Sequence, residues 1–263
     1  MRLTFLGTGG VWAAPVHGCP CPACEAARLD PSRARAPASA LLEVAGLRLL
    51  IDAGGTDLAD RFPPGSLDGV LLTHFHADHC LGLTLMRWSL AEPLPVWCPH
   101  DPRGYDDLTK HPGRLRFQTC AAGEAFCIGP VMVTPVTLIH SRPTLGWVIE
   151  HGAERIAYLS DTRGLPEETF AVLEAAPLDL VVLDCAYPPG SPGARNHNDL
   201  DEAITILTRI SPRSMRLTHI NHQLDVFGSA NTLGPRMAHD GETILISDHD
   251  MTQPVAADLL SQA

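Results

Sequence analysis

The sequence has no apolar run near the roughly 20 residues that a membrane-spanning helix needs. No long apolar segment follows residues 1–5 either, so no secretory signal peptide is visible. Positive charge is scarce, because 19 Lys and Arg residues face 30 Asp and Glu residues and the formal net charge is −11. That balance disfavours an extended nucleic-acid surface but leaves phosphate substrates open, since bound metal ions can supply local positive charge. We therefore expect a soluble, cytoplasmic protein with neither a membrane nor a nucleic acid as its partner.

The chain also lacks internal repeats, low-complexity tracts and an obvious interdomain linker. Its 263 residues could form one large α/β domain or two small ones. Strand and helix patterns alternate along the whole length, which favours a single domain over residues 1–263. Residues 11–38 form a long excursion within that domain, rich in Ala, Pro, Arg and Cys. An excursion of that length requires an anchor or a function.

Residues 73–79 carry four metal-binding side chains directly after an apolar strand at residues 70–72. Packed together without a metal, these groups would repel one another when charged and be costly to bury when neutral. A bound cation removes both penalties, so the motif favours a metal site over a solvated polar loop. His74 and His76 can point the same way, because side chains alternate along an extended segment. The two other ligands begin the following helix and can serve a second ion.

The residues after this motif have the apolar spacing of a helix over residues 79–89. Leu81, Leu85 and Trp88 recur there on one face. Such a stripe is more often part of the core than of a cofactor site. We therefore predict a single helix that buries these three side chains.

Three further candidate ligands lie downstream, each at the close of a β-rich run. His140, Asp161 and His219 each follow a segment of apolar and β-branched residues. Ligands at the ends of several strands can meet on one rim of a sheet, which is a common way to build a site on a rigid scaffold. All ligands in this set are nitrogen or oxygen, which suits zinc, manganese or iron without selecting one of them.

A second candidate metal site lies in the excursion at residues 11–38. Cys19, Cys21 and Cys24 have the Cys-x-Cys-x-x-Cys spacing that is typical of structural zinc. His222 is the fourth ligand that we predict, because it lies three residues after His219 and the zinc would then hold the loop that carries His219. The alternative is three free thiols in a mobile loop.

These motifs, together with residues 7–10 and 52–54, resemble those of the metallo-β-lactamase superfamily. The resemblance covers most of the chain and implies an α/β fold, a four-layer αβ/βα sandwich with two metal ions at one edge. It assigns three ligands to the first ion, three to the second, and one aspartate that bridges both. In that order the implied ligands are His74, His76 and His140; Asp78, His79 and His219; and Asp161. The full set implies a catalytic member of the superfamily.

His197 is a candidate general acid, because its loop begins a helix from which a side chain can lean over the metal rim. Hydrolysis of a phosphodiester leaves an alkoxide that must be protonated, and a histidine with a near-neutral pKa suits that task. The alternative is a surface histidine beside a helix start. We predict His197 and Asp78 as the catalytic residues.

A narrower resemblance rests on the cysteine motif, Asp184-Cys185 and Arg195-Asn196-His197 taken together. They resemble the phosphoribosyl 1,2-cyclic phosphate phosphodiesterases of the carbon–phosphorus lyase pathway, over nearly the whole chain. That family opens 5-phosphoribosyl 1,2-cyclic phosphate, a small phosphorylated sugar, to ribose 1,5-bisphosphate in phosphonate catabolism. The resemblance implies two divalent active-site metals (Mn²⁺ or Zn²⁺), a structural Zn²⁺ on three cysteines and one histidine, and a homodimer.

The 5-phosphate of such a substrate would need a cationic or amide pocket. Lys110, Arg142 and Arg195 are the candidates, although surface salt bridges explain isolated basic residues equally well.

Three rival functions stay open. A tRNA 3′-end endonuclease of the same superfamily shares the ligand set, but it needs a basic docking surface or arm that this acidic chain lacks. A thioester or lactone hydrolase would not require the His197 loop or the zinc loop. A non-catalytic relative, such as the protein associated with pyrroloquinoline quinone biosynthesis, also carries an amino-terminal zinc loop, but the intact seven-ligand set argues against that role.

Overall fold

The computed structural model describes residues 1–192, 195–231 and 236–246, and within them the strands form two mixed sheets. The predicted domain bounds of 1–263 therefore extend past the described residues. The first sheet contains β1 (Arg2–Gly7), β2 (Ser39–Val44), β3 (Leu47–Ile51), β4 (Gly69–Leu71), β5 (Leu94–Pro99) and β6 (Leu115–Cys120). The second contains β7 (Phe126–Ile128), β8 (Val131–Thr137), β9 (Leu145–His151), β10 (Glu154–Leu159), β11 (Leu180–Asp184) and β12 (Ser214–Thr218).

A final strand, β13 (Thr243–Leu245), returns to the first sheet beside β1, which gives the order β13-β1-β2-β3-β4-β5-β6. The second sheet has the order β12-β11-β10-β9-β8-β7. In each sheet one half is antiparallel and the other half, β3 to β6 or β10 to β12, is parallel.

Eight α-helices lie outside the sheets in the described part of the chain. They are α1 (Pro22–Leu29), α2 (Leu58–Arg61), α3 (Ala77–Cys80), α4 (Leu83–Met86), α5 (Asp106–Lys110), α6 (Glu167–Glu174), α7 (Leu200–Ile210) and α8 (His222–Ala230). In the described residues, no helix combines the length and apolar character needed to cross a bilayer.

Alternating side chains of the strands supply three separate cores. In β10, Ile156 and Tyr158 lie in the core between the two sheets, whereas Ala157 and Leu159 lie in the core shared with α6 and α7. Leu41 of β2 likewise faces a third core, which includes side chains of α2, α4 and α5. Because strand side chains alternate between faces, each sheet buries both surfaces. The layers are helix, sheet, sheet, helix, which confirms the predicted four-layer α/β sandwich.

The predicted single helix at residues 79–89 is wrong. The chain instead forms α3 and α4, which are separated at Gly82. The Gly82 amide donates to the Ala53 carbonyl (2.8 Å), outside the helix, and a Cβ on this residue would lie 2.3 Å from the Gly55 carbonyl oxygen. Close packing against that loop ends the first helix. Leu85 and Trp88, predicted to be buried, are 54% and 63% exposed.

The ends of several strands bring the candidate residues to one edge of the sandwich. The carboxyl ends of parallel strands meet at the same edge, where open α/β sheets bind ligands. Asp161 follows β10, Asp184 ends β11, and His219 follows β12. From the other sheet, residues 73–79 follow β4. The topology therefore assembles at one place residues that are far apart in the chain.

Candidate metal centre and active site

The first predicted group of ligands converges on one point. His74 Nε2 lies 2.9 Å from His76 Nδ1, which lies 3.1 Å from His140 Nε2. These three atoms form a group that could hold a metal ion. Two nitrogens bound to a tetrahedral zinc at 2.0–2.1 Å are roughly 3.3 Å apart, which is close to the observed separations.

The second predicted group lies beside the first. His219 Nε2 is 3.3 Å from Asp78 Oδ2, and His79 Nε2 is 3.8 Å from the same oxygen. These three side chains form another group with the spacing of metal ligands. Both predicted triads are therefore brought together.

Asp161 lies between the two groups and is placed to bridge them. Its Oδ2 is 3.7 Å from His74 Nε2 and 3.8 Å from His140 Nε2, on the side of the first group. The same oxygen is 3.3 Å from both His79 Nε2 and His219 Nε2, on the side of the second group. The hydroxyl of Ser160 donates to the other carboxylate oxygen (2.7 Å) and so sets the orientation of the carboxylate.

The donor set fits two divalent ions. His79 Nε2 is buried and has no hydrogen-bond partner in the described residues, which is the state expected of a nitrogen reserved for a metal. Burial lowers the pKa of His74 well below its ordinary value, lowers that of His76 to about 4, and lowers that of His140. Three neutral imidazoles whose nitrogens face one another are suited to donate lone pairs to a cation.

The carboxylates of the site are held in their ionised form. Burial alone would raise the pKa of Asp78, but a hydrogen bond from His219 and the charge of His79 bring it to about 2. Burial also opposes ionisation of Asp161, yet His219 and His79 hold its pKa well below the usual range. Anionic oxygens beside the neutral nitrogens of His74, His76 and His140 create a strongly cation-attracting centre.

Neighbouring groups fix the ring orientation of several candidate ligands. His79 Nδ1 bonds to Asp52 Oδ2 (2.7 Å), His74 Nδ1 lies 3.0 Å from the hydroxyl of Thr73, and His140 Nδ1 lies 3.0 Å from the Asn196 carbonyl. Such partners select the tautomer and raise the basicity of a ligating histidine. Burial alone would lower the pKa of His79, but the carboxylates of Asp161 and Asp52 raise it well above the ordinary value.

Sequence reasoning assigned no role to Asp52, although a signal was present. Asp52 comes directly after β3 and is fully buried, so it stands at the same kind of strand end as the predicted ligands. Its oxygens also accept hydrogen bonds from the amide and hydroxyl of Thr73 (2.8 and 2.9 Å). Asp52 therefore connects the end of β3 to the histidine motif.

His197 lies at the rim of the candidate metal centre. Its ring stacks on that of His219 at 4.7 Å and lies 5.2 Å from that of His140. His197 Nδ1 bonds to Asp184 Oδ2 at 2.9 Å. Burial alone would lower the pKa of His197, but the charge and hydrogen bond of Asp184 raise it to about 9, so the ring is protonated at neutral pH.

The spacing also allows His197 to be considered as a metal ligand with His140 and Asp161. However, the nitrogen nearest Asp161 is Nδ1, at 3.9 Å, and Asp184 already occupies that nitrogen. The arrangement favours a proton donor that acts through Nε2. Asp184 was not assigned a role from the sequence, although it closes a buried strand in the same way as Asp52.

The three predicted phosphate-binding residues lie in different environments. Arg142 donates to Asp101 and to the carbonyls of Phe75 and Gly104. Three of its donors are therefore already used in hydrogen bonds within the protein. Lys110 pairs with Asp106 on the exposed surface of α5 (2.7 Å). Arg195 is exposed and directly precedes Asn196, whose carbonyl contacts His140. Of the three, Arg195 is the most available for a substrate beside the site.

The predicted structural zinc ligands also converge. The sulfurs of Cys19, Cys21 and Cys24 lie 3.5, 3.3 and 3.6 Å from His222 Nδ1. Sulfur and nitrogen bound to one tetrahedral zinc are about 3.6 Å apart. Burial alone would raise the pKa of Cys21, but the Cys24 amide and His222 bring it to about 6, which favours the thiolate that zinc requires.

Replacing Cys21 with serine is expected to remove one zinc equivalent per chain and to lower the Tm, because a closed structural site contributes its binding energy to folding. Elemental analysis and a thermal melt measure the two effects. Cys127→Ser is the control, since Cys127 is an exposed cysteine outside the cluster. An unchanged zinc content in the Cys21 variant would contradict the structural site.

Comparisons with known proteins agree with this architecture. The beta-lactamase superfamily domain matches residues 47–220. A ribonuclease Z of Halorubrum lacusprofundi is 27% identical over 324 aligned residues, covering 96% of this chain and 97% of that protein. An octanoyltransferase of Porphyromonas gingivalis is also 27% identical over 92% of this chain, but this chain spans only 50% of that protein.

Solved structures are similar over nearly the whole chain. A diphosphatase from the PhnP family has a TM-score of 0.75 and 26% identity, with 93% of this chain and 97% of that chain covered. Zn²⁺-bound PqqB from Methylobacterium extorquens has a TM-score of 0.75 at 21% identity, with 93% and 100% covered, and therefore supports the fold alone. The superfamily domain matches more than half of the sequence, and this match establishes the family to which the chain belongs. The chain belongs to the beta-lactamase superfamily, a superfamily of hydrolases, and it has the metallo-β-lactamase fold.

Proposed function

We propose that the protein is a two-metal phosphodiesterase that hydrolyses 5-phosphoribosyl 1,2-cyclic phosphate to ribose 1,5-bisphosphate. The observation that carries the proposal is the His197–Asp184 pair at the rim of a complete two-metal ligand set. The similarity to a diphosphatase of the PhnP family and to ribonuclease Z supports chemistry at phosphorus. Phosphonate catabolism, a cytoplasmic location and a homodimer are part of the same proposal and rest on the sequence resemblance.

His74, His76, His140, Asp161, Asp78, His79 and His219 would hold the two ions. Two bound divalent ions would supply Lewis-acid charge for the phosphate oxygens and lower the pKa of a nucleophilic water. The chain's own contribution is proton transfer and positioning.

His197 donates a proton from Nε2 to the sugar oxygen that leaves phosphorus, and Asp184 keeps the ring protonated and oriented through Nδ1. Asp78 stays ionised beside His219, in the role of ligand and candidate catalytic carboxylate. Arg195 is the first candidate for contact with the 5-phosphate, because its side chain is exposed beside the loop of His197.

Two observations each favour an alternative function. The structural neighbour that is a diphosphatase favours hydrolysis of a phosphoanhydride at the same centre. The ribonuclease Z relative, which this chain covers almost completely, favours a tRNA 3′-end endonuclease. The net charge of −11 weighs against the endonuclease, because phosphate-backbone binding depends on a positively charged surface.

Turnover of three substrates by Mn²⁺- or Zn²⁺-loaded protein separates these functions. They are 5-phosphoribosyl 1,2-cyclic phosphate, a nucleoside diphosphate sugar and a tRNA precursor, with phosphorus NMR to identify the products of the first two. We expect ribose 1,5-bisphosphate from the cyclic phosphate and no cleavage of the tRNA. Metal-depleted protein that retains its structural zinc is the control. Cleavage of the diphosphate alone, or of the tRNA alone, would replace the proposed substrate.

A further inference from the structure

His219 differs from three of the other four candidate histidine ligands in how its ring is held. The second ring nitrogens of His74, His79 and His140 contact a hydroxyl, a carboxylate and a carbonyl oxygen. His219 Nδ1 is buried and has no hydrogen-bond partner in the described residues. His219 also has a positive φ of 60°, a conformation that costs free energy in a residue other than glycine. Its orientation must therefore come from packing and from the backbone on either side.

The glycine turn after β1 supplies that packing. A Cβ on Gly10 would lie 2.3 Å from His219 Cε1, so the bare backbone of Gly10 lies directly against the ring. The ring of His197 stacks on His219 at 4.7 Å. The turn also holds the backbone, because Ile220 N donates to the Thr8 carbonyl (2.8 Å) and Ile220 forms a bridge with Gly9.

Arg35 holds this turn in place from the zinc-binding loop. Its side chain is 4% exposed and forms a bidentate pair with Asp225, in which Nη2 donates to Oδ1 (2.8 Å) and Nε donates to Oδ2 (3.0 Å). Its Nη1 donates to the Thr8 hydroxyl (2.7 Å) and to the Ala238 carbonyl (2.7 Å). Thr8 in turn donates through its amide and its hydroxyl to Asp240. We call the set of Arg35, Thr8, Asp225 and Asp240 the Arg35 clamp.

The Arg35 clamp and the candidate structural zinc site both include a side chain of the same helix, α8. His222 and Asp225 lie three residues apart at the start of α8, so both project from one side of the helix. His222 faces the three cysteines and Asp225 faces Arg35, and both of these partners belong to the excursion at residues 11–38. His219 lies just before this doubly held helix and just beside the turn that the clamp fixes.

We propose that the Arg35 clamp is the positioning device for His219 and thereby sets the affinity of the second active-site ion. The proposal rests on the two-metal centre of the proposed function, but not on its substrate. Without the clamp, the turn at residues 8–10 loses its ion-paired link to α8 and keeps only backbone hydrogen bonds such as the one from Ile220 N to the Thr8 carbonyl. The His219 ring, which has no hydrogen bond at Nδ1, is then held less firmly on that side. The first ion does not use His219, so only the second ion should be affected.

A titration with Mn²⁺ followed by electron paramagnetic resonance tests this proposal, because two neighbouring ions give an exchange-coupled signal and one ion does not. In Arg35→Met, the first ion should bind as in the wild type. The second should bind roughly 10- to 100-fold more weakly, the usual loss when a group that orients a ligand is removed. Arg155→Met is the matched control, since Arg155 is also buried and bonds to Glu150 and to carbonyl oxygens at the other end of β10.

Both arginine variants should lose thermal stability, but only Arg35→Met should lose the coupled signal. A coupled pair that forms at wild-type affinity in Arg35→Met would overturn the proposal and leave a purely structural ion pair. If that variant does not fold, Gly10→Ala provides the test, because the clamp stays intact and the new Cβ displaces the His219 ring. Second-ion affinity equal to the wild type in Gly10→Ala would also overturn the proposal. Two coupled ions without turnover of the cyclic phosphate would count against the proposed function alone.

Discussion

Replacing His197 with alanine is expected to lower kcat by roughly 10²- to 10⁴-fold, the usual contribution of a positioned general acid. Both active-site ions should remain bound, because His197 is not one of the proposed metal ligands. Its Nδ1, the nitrogen nearest Asp161, is hydrogen-bonded to Asp184. Steady-state kinetics with the cyclic phosphate and elemental analysis of the same preparation measure the two quantities.

Asp184→Asn is the informative companion of His197→Ala. Asparagine keeps an acceptor for the Thr162 amide, which bonds to Asp184 Oδ2 at 2.8 Å, but it removes the charge that keeps His197 protonated. If the two residues act as a unit, the double variant should be no slower than His197→Ala alone. Additive losses would assign Asp184 a separate role. Wild-type turnover in His197→Ala would remove this histidine from the chemistry.

Replacing Asp161 with asparagine is expected to abolish the paired metal centre. One oxygen of Asp161 lies within 3.3 Å of a ring nitrogen of both His79 and His219, and within 3.8 Å of those of His74 and His140. Loss of a group that merely orients a ligand weakens metal binding by roughly 10- to 100-fold, so loss of the shared anion should exceed that range. Turnover should fall with the occupancy of the second ion.

The predicted structural zinc site provides the internal control for Asp161→Asn. Cys19, Cys21, Cys24 and His222 form a separate group, so zinc at that site should stay at one equivalent per chain. Calorimetric titration of the active-site ions and elemental analysis separate the two kinds of site. An Asp161→Asn protein that binds two active-site ions with wild-type affinity would show that Asp161 does not bridge them.

Much of the candidate site could be predicted because its metal-binding residue types lie close together in the sequence, at spacings typical of metal ligands. The histidine motif at residues 73–79 and the cysteine motif at residues 19–24 are dense enough that burial without a metal would be costly. His140, Asp161 and His219 could be added because each closes a β-rich segment, and strand ends meet at sheet edges. The structure brings all of these predicted ligands together.

The supporting residues could not be predicted, because each is defined by a partner that is remote in sequence. Asp52 and Asp184 were visible only as carboxylates at strand ends until folding placed them against His79 and His197. Arg35 lies in a basic, proline-rich excursion whose composition is typical of an exposed loop. Its side chain is nevertheless almost completely buried against Asp225.

By itself, the sequence determined the fold class, and it predicted the two sets of candidate metal ligands and the histidine beside them. Short-range spacing and the alternation of strand and helix patterns encode those features. Only the tertiary structure decided which carboxylate orients which histidine, where Gly82 divides a predicted helix, and how the turn at Gly10 supports His219. The physical reason is that hydrogen bonds, close packing and ion pairs between distant segments depend on sheet order and register, which no local pattern specifies.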